Sequence, residues 1–285
     1  MVPFAVLLGG SPPRRAGARE LTMQTRPQYP RRYGEASSAE RNSLLLSLPP
    51  EEYEKVIVRA TTVALKVRED LITPGEPVRY VYFPQSGLLS IVNDMKADDM
   101  SIEVGVTGRE GMAGLSLFHG SDTQPMRVLV QVAGEAKRIS AADFSELLEG
   151  EMPQLKAIIH LFTLAVLNQA SQQAACNRLH SLEERCAKWL LTTHDNMDSP
   201  ELPLTQEFLA VMLGVRRPGV TVAAQTLQLA GLIRYKRGRI NITDRRGLEE
   251  LSCECYRRIR EDYERLLGDF MIPAAGLRAV VARTA

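Results

Sequence analysis

Between residues 63 and 139 the apolar residues come in short runs, each bounded by turn residues. Leu71-Ile72 precedes Pro74-Gly75-Glu76, and Tyr80-Val81-Tyr82-Phe83 precedes Pro84-Gln85-Ser86-Gly87; 88–92, 102–106, 128–132 and 136–139 follow. Strands this short, at spacings of roughly ten residues, bury an apolar face only by closing on one another. The pattern predicts an antiparallel, jelly-roll-like β-roll. From 151 to 199 the grammar changes: no glycine interrupts the chain, and Leu155, Ile158, Phe162, Ala165, Gln169, Gln172 and Cys176 recur at three and four residues. That is one face of a helix of about 39 Å. The fold class is therefore α+β.

The 285 residues divide on this basis. A disordered arm is expected over 1–38, a β-roll domain over 39–150, a dimerisation helix over 151–180, a winged helix-turn-helix over 181–250 and a helical extension over 251–285. The arm rests on 9–38, rich in Pro, Arg, Gly and Ser without periodicity, and contains Met23 as an alternative start to Met1. Apolar 2–8 is too short to span a bilayer and has no basic residue before it. No membrane insertion or export is expected, and the location expected is cytoplasmic. The face of the long helix exceeds what one small barrel covers. Two packings remain open: within its own chain, or in parallel with a second subunit through Leu155, Ile158, Phe162, Ala165, Gln169 and Gln172. The second, a homodimer, is favoured once the C-terminal segment is considered.

The formal net charge is +1, which by itself selects no partner. Local charge does. Residues 203–247 hold eight basic and two acidic side chains, whereas 41–150 hold eleven basic and sixteen acidic. The anion-seeking field lies towards the C-terminus. There, Thr205 is placed to cap a helix and Glu207 sits at its positive end. Ala210 is small where a second helix approaches, and Gly214 supplies positive φ at the turn. Arg216, Arg217, Thr221 and Gln225 then project from the start of a helix over 216–230, where a major-groove reader places its base contacts, with Gln206 alongside Thr205. An arginine there can donate two hydrogen bonds to guanine. Leu232 to Lys236, the turn Arg237-Gly238, and Arg239 to Thr243 read as a hairpin that leaves Arg234, Lys236 and Arg239 for phosphates. The expected partner is double-stranded DNA.

The four cysteines, Cys176, Cys186, Cys253 and Cys255, form no CxxC pair and no Cys/His cluster at zinc spacing along the chain. Cys176 and Cys186 read as buried helix packing; Cys253-Glu254-Cys255 is either that or a redox pair. The single Trp189 reads as core. Paired carboxylates, a phosphate loop opening a helix and a nucleophile with an orienting histidine are all missing, and Asp98-Asp99 and Glu183-Glu184 read as solvated charges, so no enzyme is expected.

The sequence resembles the Crp/Fnr family of bacterial transcription regulators over 39–250. The resemblance is carried by Pro74-Gly75-Glu76, Tyr80-Val81-Tyr82-Phe83, Ser86-Gly87, the turn Gly108-Arg109-Glu110-Gly111-Met112-Ala113-Gly114, and the order roll, long helix, winged helix. It implies a homodimer paired through the long helix, a partly palindromic DNA site, contact with RNA polymerase, and Arg217 as the base-reading arginine. The family's cyclic-nucleotide sites use a glutamate and an arginine where Met112 and Met126 stand, which disfavours that ligand; Glu110 and Arg127 are weak substitutes. An iron–sulfur cluster would need N-terminal cysteines, and haem an axial ligand, for which exposed-loop His119 is the least poor candidate. No cofactor is expected. Pro218-Gly219 departs from the family's usual pair and alters base preference. The alternative to a regulator is an effector-binding module whose winged helix contacts a protein.

Overall fold

The computed structural model describes residues 40–95, 100–197 and 201–268, and these form one compact unit. The arm expected over 1–38, Asp98-Asp99 and residues 269–285 of the extension lie outside the described residues.

Asn42 opens the fold: its side-chain oxygen accepts the Leu44 and Leu45 N–H groups at 3.1 and 3.2 Å and starts α1 (Ser43–Leu46). Pro50, at a position where its missing N–H has no helical partner, starts α2 (Pro50–Ile57). The roll follows as β1 (Thr61–Leu65), β2 (Asp70–Ile72), β3 (Tyr80–Pro84), β4 (Leu88–Met95), β5 (Met100–Thr107), the short α3 (Leu115–Phe118), β6 (Arg127–Val132) and β7 (Gly134–Ser140). The strands form two antiparallel sheets, ordered β1-β7-β3 and β2-β6-β4-β5. Leu65, Ile72, Tyr82, Leu89, Val128, Val130 and Ala136 fill the roll's own core. Ser140 caps α4 (Ala141–Glu149), which delivers the chain to α5 (Pro153–Leu179).

Ser181 and Glu184 form a reciprocal capping box that starts α6 (Leu182–Asp195) immediately after α5 ends. A strand not foreseen, β8 (Glu201–Leu202), precedes α7 (Gln206–Leu213), α8 (Arg217–Leu229), β9 (Ile233–Lys236) and β10 (Arg239–Ile242); the small sheet is ordered β8-β10-β9. Then α9 (Arg245–Leu251) and α10 (Cys255–Leu267) close the described chain. Trp189, Leu209, Met212, Val220, Leu227, Ile233 and Ile240 pack together, and the same core continues into Leu88, Val92, Val106, Leu129 and Val132 of the larger roll sheet. The winged helix therefore shares a core with the roll, and the boundary expected at 181 is not a break in packing.

The face of α5 expected to meet a second subunit is occupied within the chain. Leu155, Ile158, Phe162 and Ala165 are at most 1% exposed, packed with Leu44, Leu45, Phe83, Ile139 and Phe144. Farther along, α10 covers the helix. Phe162 packs edge-on to Tyr263, Gln169 receives the Val106 N–H at 2.9 Å and faces the Tyr263 hydroxyl, and Gln172 donates to Cys255. These six residues are not a free seam. The repeat at three and four residues marks which face is buried, and the amphipathic extension supplies the cover that the repeat alone could not identify. The opposite face stays open, with Leu164 42%, Leu167 61% and Leu179 76% exposed, and with Ser171, Ala174 and Ala175 between them.

Candidate nucleic-acid interface

Thr205 accepts the Phe208 N–H at 3.2 Å and starts α7. Gly214 ends it at φ +62°, a left-handed conformation that costs glycine little. A Cβ there would also lie 2.6 Å from Ile102 Cδ1, so the turn between α7 and α8 is seated on β5 of the roll. Arg216 is the extended residue before α8, Arg217 begins the helix, and Pro218 follows in the first turn. Val220, Ala223 and Leu227 hold α8 to the core, which fixes the direction in which Arg216, Arg217 and Gln225 leave the surface.

Arg217 is 63% exposed, as a base-reading role requires, and its guanidinium pairs with Glu207 at 2.9 Å. Thr221 donates to Gln206 Oε1 at 2.9 Å or to the Arg217 carbonyl at 3.2 Å, so the two side chains named beside the arginine hold each other. Thr205, besides capping α7, receives Arg68 of the roll at 3.4 Å, and Arg68 lies over the Phe208 ring. The hairpin turns through Arg237 and Gly238 at φ 50° and 74°, the mirror-image turn that suits twisted two-stranded ribbons. Arg234 and Lys236 are exposed on β9.

The cationic count made along the chain is reduced in space. Arg239 pairs with Glu201 at 2.7 Å, and Arg246 with Glu250 at 3.1 Å. Arg245 is drawn inward to Asp195 at 2.6 Å, beside His194 and Tyr256. Arg216, Arg234, Lys236 and Arg237 make no ion pair with another of the described residues. They border the N-terminal end of α8 and the hairpin.

In the roll, Glu110 and Arg127 do not converge. Glu110 folds back to accept the Gly108 N–H at 2.7 Å, and Arg127 bridges Asp94 at 2.9 Å and Asp70 at 3.5 Å on the sheet surface. Met112 is buried in the core between roll and α5. His119 is exposed and lies 3.1 Å from the Thr163 hydroxyl.

Two groupings were invisible along the chain. The first joins roll to winged helix. Trp189 of α6 donates to Glu103 Oε1 at 3.0 Å, while Ser90 Oγ lies 2.7 Å from both Glu103 Oε2 and Gln131 Oε1. Gln131 in turn donates to Thr193 of α6 at 2.7 Å. One hydroxyl proton cannot serve two acceptors, so both contacts are satisfied when Glu103 is protonated and donates to Ser90. Burial pushes this carboxyl up to about 7, against the hydrogen bond from Ser90 and the charge of Lys188.

The second corrects the expectation that the cysteines form no Cys/His cluster. Cys176, His180, Cys253 and Cys255 bring their Sγ and ring-nitrogen atoms within 4.8 Å of one another. Sequence spacing hides this because Cys176 and Cys253 are 77 positions apart. A hydrogen bond from the Cys253 thiol, aided by Lys188, pulls the Cys176 thiol below the ordinary thiol range, whereas burial pushes isolated Cys186 up to about 12.

Residues 184–251 match the model of the Crp-like helix-turn-helix domain. No curated protein sequence matches the chain. Among solved structures, CLP of Xanthomonas campestris, described as a c-di-GMP responsive global regulator, is 21% identical, covers 68% of this chain and 99% of its own, and has a TM-score of 0.56. FixK2 of Bradyrhizobium japonicum is 17% identical with 68% and 98% covered at 0.57, and a CRP-family transcriptional regulator of Thermus thermophilus is 18% identical with 67% and 96% covered at 0.55. The chain thus carries a Crp-like helix-turn-helix domain on the fold of the Crp/Fnr transcription regulators.

Proposed function

We propose that this protein regulates transcription as a homodimer that reads a two-fold DNA site with one α8 per half-site. The observation that carries this reading is the α8 N-terminus, where exposed Arg216 and Arg217 stand ahead of Gln225, with Arg234, Lys236 and Arg237 of the hairpin beside them and in no ion pair among the described residues. In this reading Arg217 donates to guanine in the major groove. Gln206, Thr221 and Gln225 border the same groove, and Arg216, Arg234, Lys236 and Arg239 take phosphates with the Thr205 end of α7. Binding requires Arg217 to leave Glu207 and Arg239 to leave Glu201. Contact with RNA polymerase, implied by the resemblance, belongs to the same reading.

The second subunit is assigned to the open face of α5, through Leu164, Leu167, Ser171, Ala174 and Ala175, in place of the buried face. Leu164, Leu167, Ser171 and Ala174 keep the three-and-four repeat that a parallel helix pair uses. An effector, as the description of CLP gives for that protein, would act here through the roll and the Glu103 network. Selection of bound duplexes from a random pool tests the reading. A two-fold motif is expected, and R217A should lose about 1 to 3 kcal/mol on that motif while binding to random duplex falls much less. Equal losses on both, or no enriched motif, would reject it.

A further inference from the structure

We propose that Cys176, His180, Cys253 and Cys255 form a tetrahedral site for one divalent metal ion of the zinc class, clasping α10 to the end of α5. Four ligands around zinc, at about 2.3 Å for sulfur and about 2.0 Å for nitrogen, lie about 3.5 to 3.8 Å from one another at the corners of a tetrahedron. Here Cys176 Sγ and Cys253 Sγ are 3.6 Å apart, and Cys255 Sγ and His180 Nδ1 are 3.5 Å apart, with all four atoms inside 4.8 Å. That spacing matches a single ion. Thiolate and imidazole donors favour zinc over magnesium or calcium, which take oxygen.

The local structure explains how the four meet. Cys176 lies in the last turn of α5, and His180, four residues on, is the extended residue that caps the helix just past Leu179. Cys253 and Cys255 flank Glu254, the N-cap of α10, with Cys255 its first residue; α9 has ended at Leu251 with Ser252 as its cap. The three sulfurs are buried and His180 is half-buried. Gln172 donates its amide N–H to Cys255 Sγ at 3.1 Å, the kind of outer contact that orients a metal-bound thiolate. Three thiolates and a neutral imidazole around a divalent ion leave one negative charge. Arg185, 8% exposed and within electrostatic reach of Cys176 and Cys253, offsets it, and its Nε is a buried donor without a partner among the described residues.

A Cys176–Cys253 disulfide is the competing use of these atoms. It would require the sulfurs to close from 3.6 Å to about 2.05 Å and would leave Cys255 and His180 outside the bond. A metal uses all four. Its place is mechanical as well: His180 directly precedes Ser181, the cap of α6, so the ion would fix the joint between the long helix and the winged helix.

The test is metal analysis of the purified full-length protein, with cobalt substitution. About one zinc per chain is expected, and cobalt should give the intense visible bands of a tetrahedral thiolate site. H180A and C253S should lose most of the metal, C186S should keep it, and Q172L should bind zinc roughly 10- to 100-fold more weakly while retaining the tetrahedral cobalt bands. Wild-type protein that stays metal-free after zinc is added, with four free thiols on unfolding, overturns the proposal; so does a count of two free thiols, the mark of the disulfide. Where C253S does not fold, the wild-type cobalt spectrum decides alone, since absence of the tetrahedral bands is sufficient to reject the site.

Discussion

Arg217 sits in an exposed ion pair with Glu207, so the group proposed to read a base is held by a competitor on the preceding helix. Pairs this exposed contribute about 0 to 1 kcal/mol. E207Q should therefore tighten duplex binding by no more than about fivefold, measured by fluorescence anisotropy, and weakening would show that Glu207 positions Arg217 rather than restrains it. Glu103 presents the opposite case, a carboxyl inside a closed hydrogen-bond ring. Its folded pKa of about 7 exceeds the ordinary 4.5, so the stability it contributes is complete below pH 4.5 and is lost as pH rises through 7. Thermal or denaturant unfolding should show wild type losing up to about 3 kcal/mol across that window relative to E103Q. Parallel pH profiles for the two proteins would show that Glu103 titrates normally.

Helix α5 shows how an element's two faces divide their work. The buried face carries the apolar side chains that a periodicity argument selects first, because the strongest repeat belongs to whichever surface is most completely covered. Roll and α10 cover it, and the surface left for a second copy is the weaker stripe containing Leu164 and Leu167. The double variant L164E/L167E should sediment as a folded monomer, whereas F162E should unfold the chain; a dimeric L164E/L167E would remove the open face as the seam. At the turn between α7 and α8, G214A meets both a positive φ and Ile102 at 2.6 Å. A loss of more than about 1 kcal/mol in unfolding free energy is expected, as for alanine forced to positive φ.

For the whole molecule, the placement of charge sets the expected salt dependence. If the four cations of each subunit proposed to take phosphates, Arg216, Arg234, Lys236 and Arg239, each neutralise one phosphate, a dimer displaces counterions from eight sites, and log affinity should fall against log salt with a slope of about −7. A slope near zero would be incompatible with phosphate binding. Because the winged helix packs on the larger roll sheet and rests its turn on Ile102, any effector in the roll would act on DNA binding by favouring one arrangement of a shared core over another. No helix among the described residues is long and apolar enough to cross a membrane.

The elements themselves were legible: strand spacing announced the roll, and Thr205, Gly214 and the Arg237-Gly238 turn announced the winged helix. These signals are local, since caps, positive φ and alternation act over a few residues. What tertiary structure alone decided involves groups distant along the chain. It gave α10 the face of α5 that a partner was expected to take, withdrew Arg245 from the cationic surface, paired Arg239 and Arg217 with carboxylates, joined Glu103 of the roll to Trp189 of α6, and gathered Cys176, His180, Cys253 and Cys255. Each depends on packing that returns separate segments to one place, and side-chain burial and charge pairing are properties of that place.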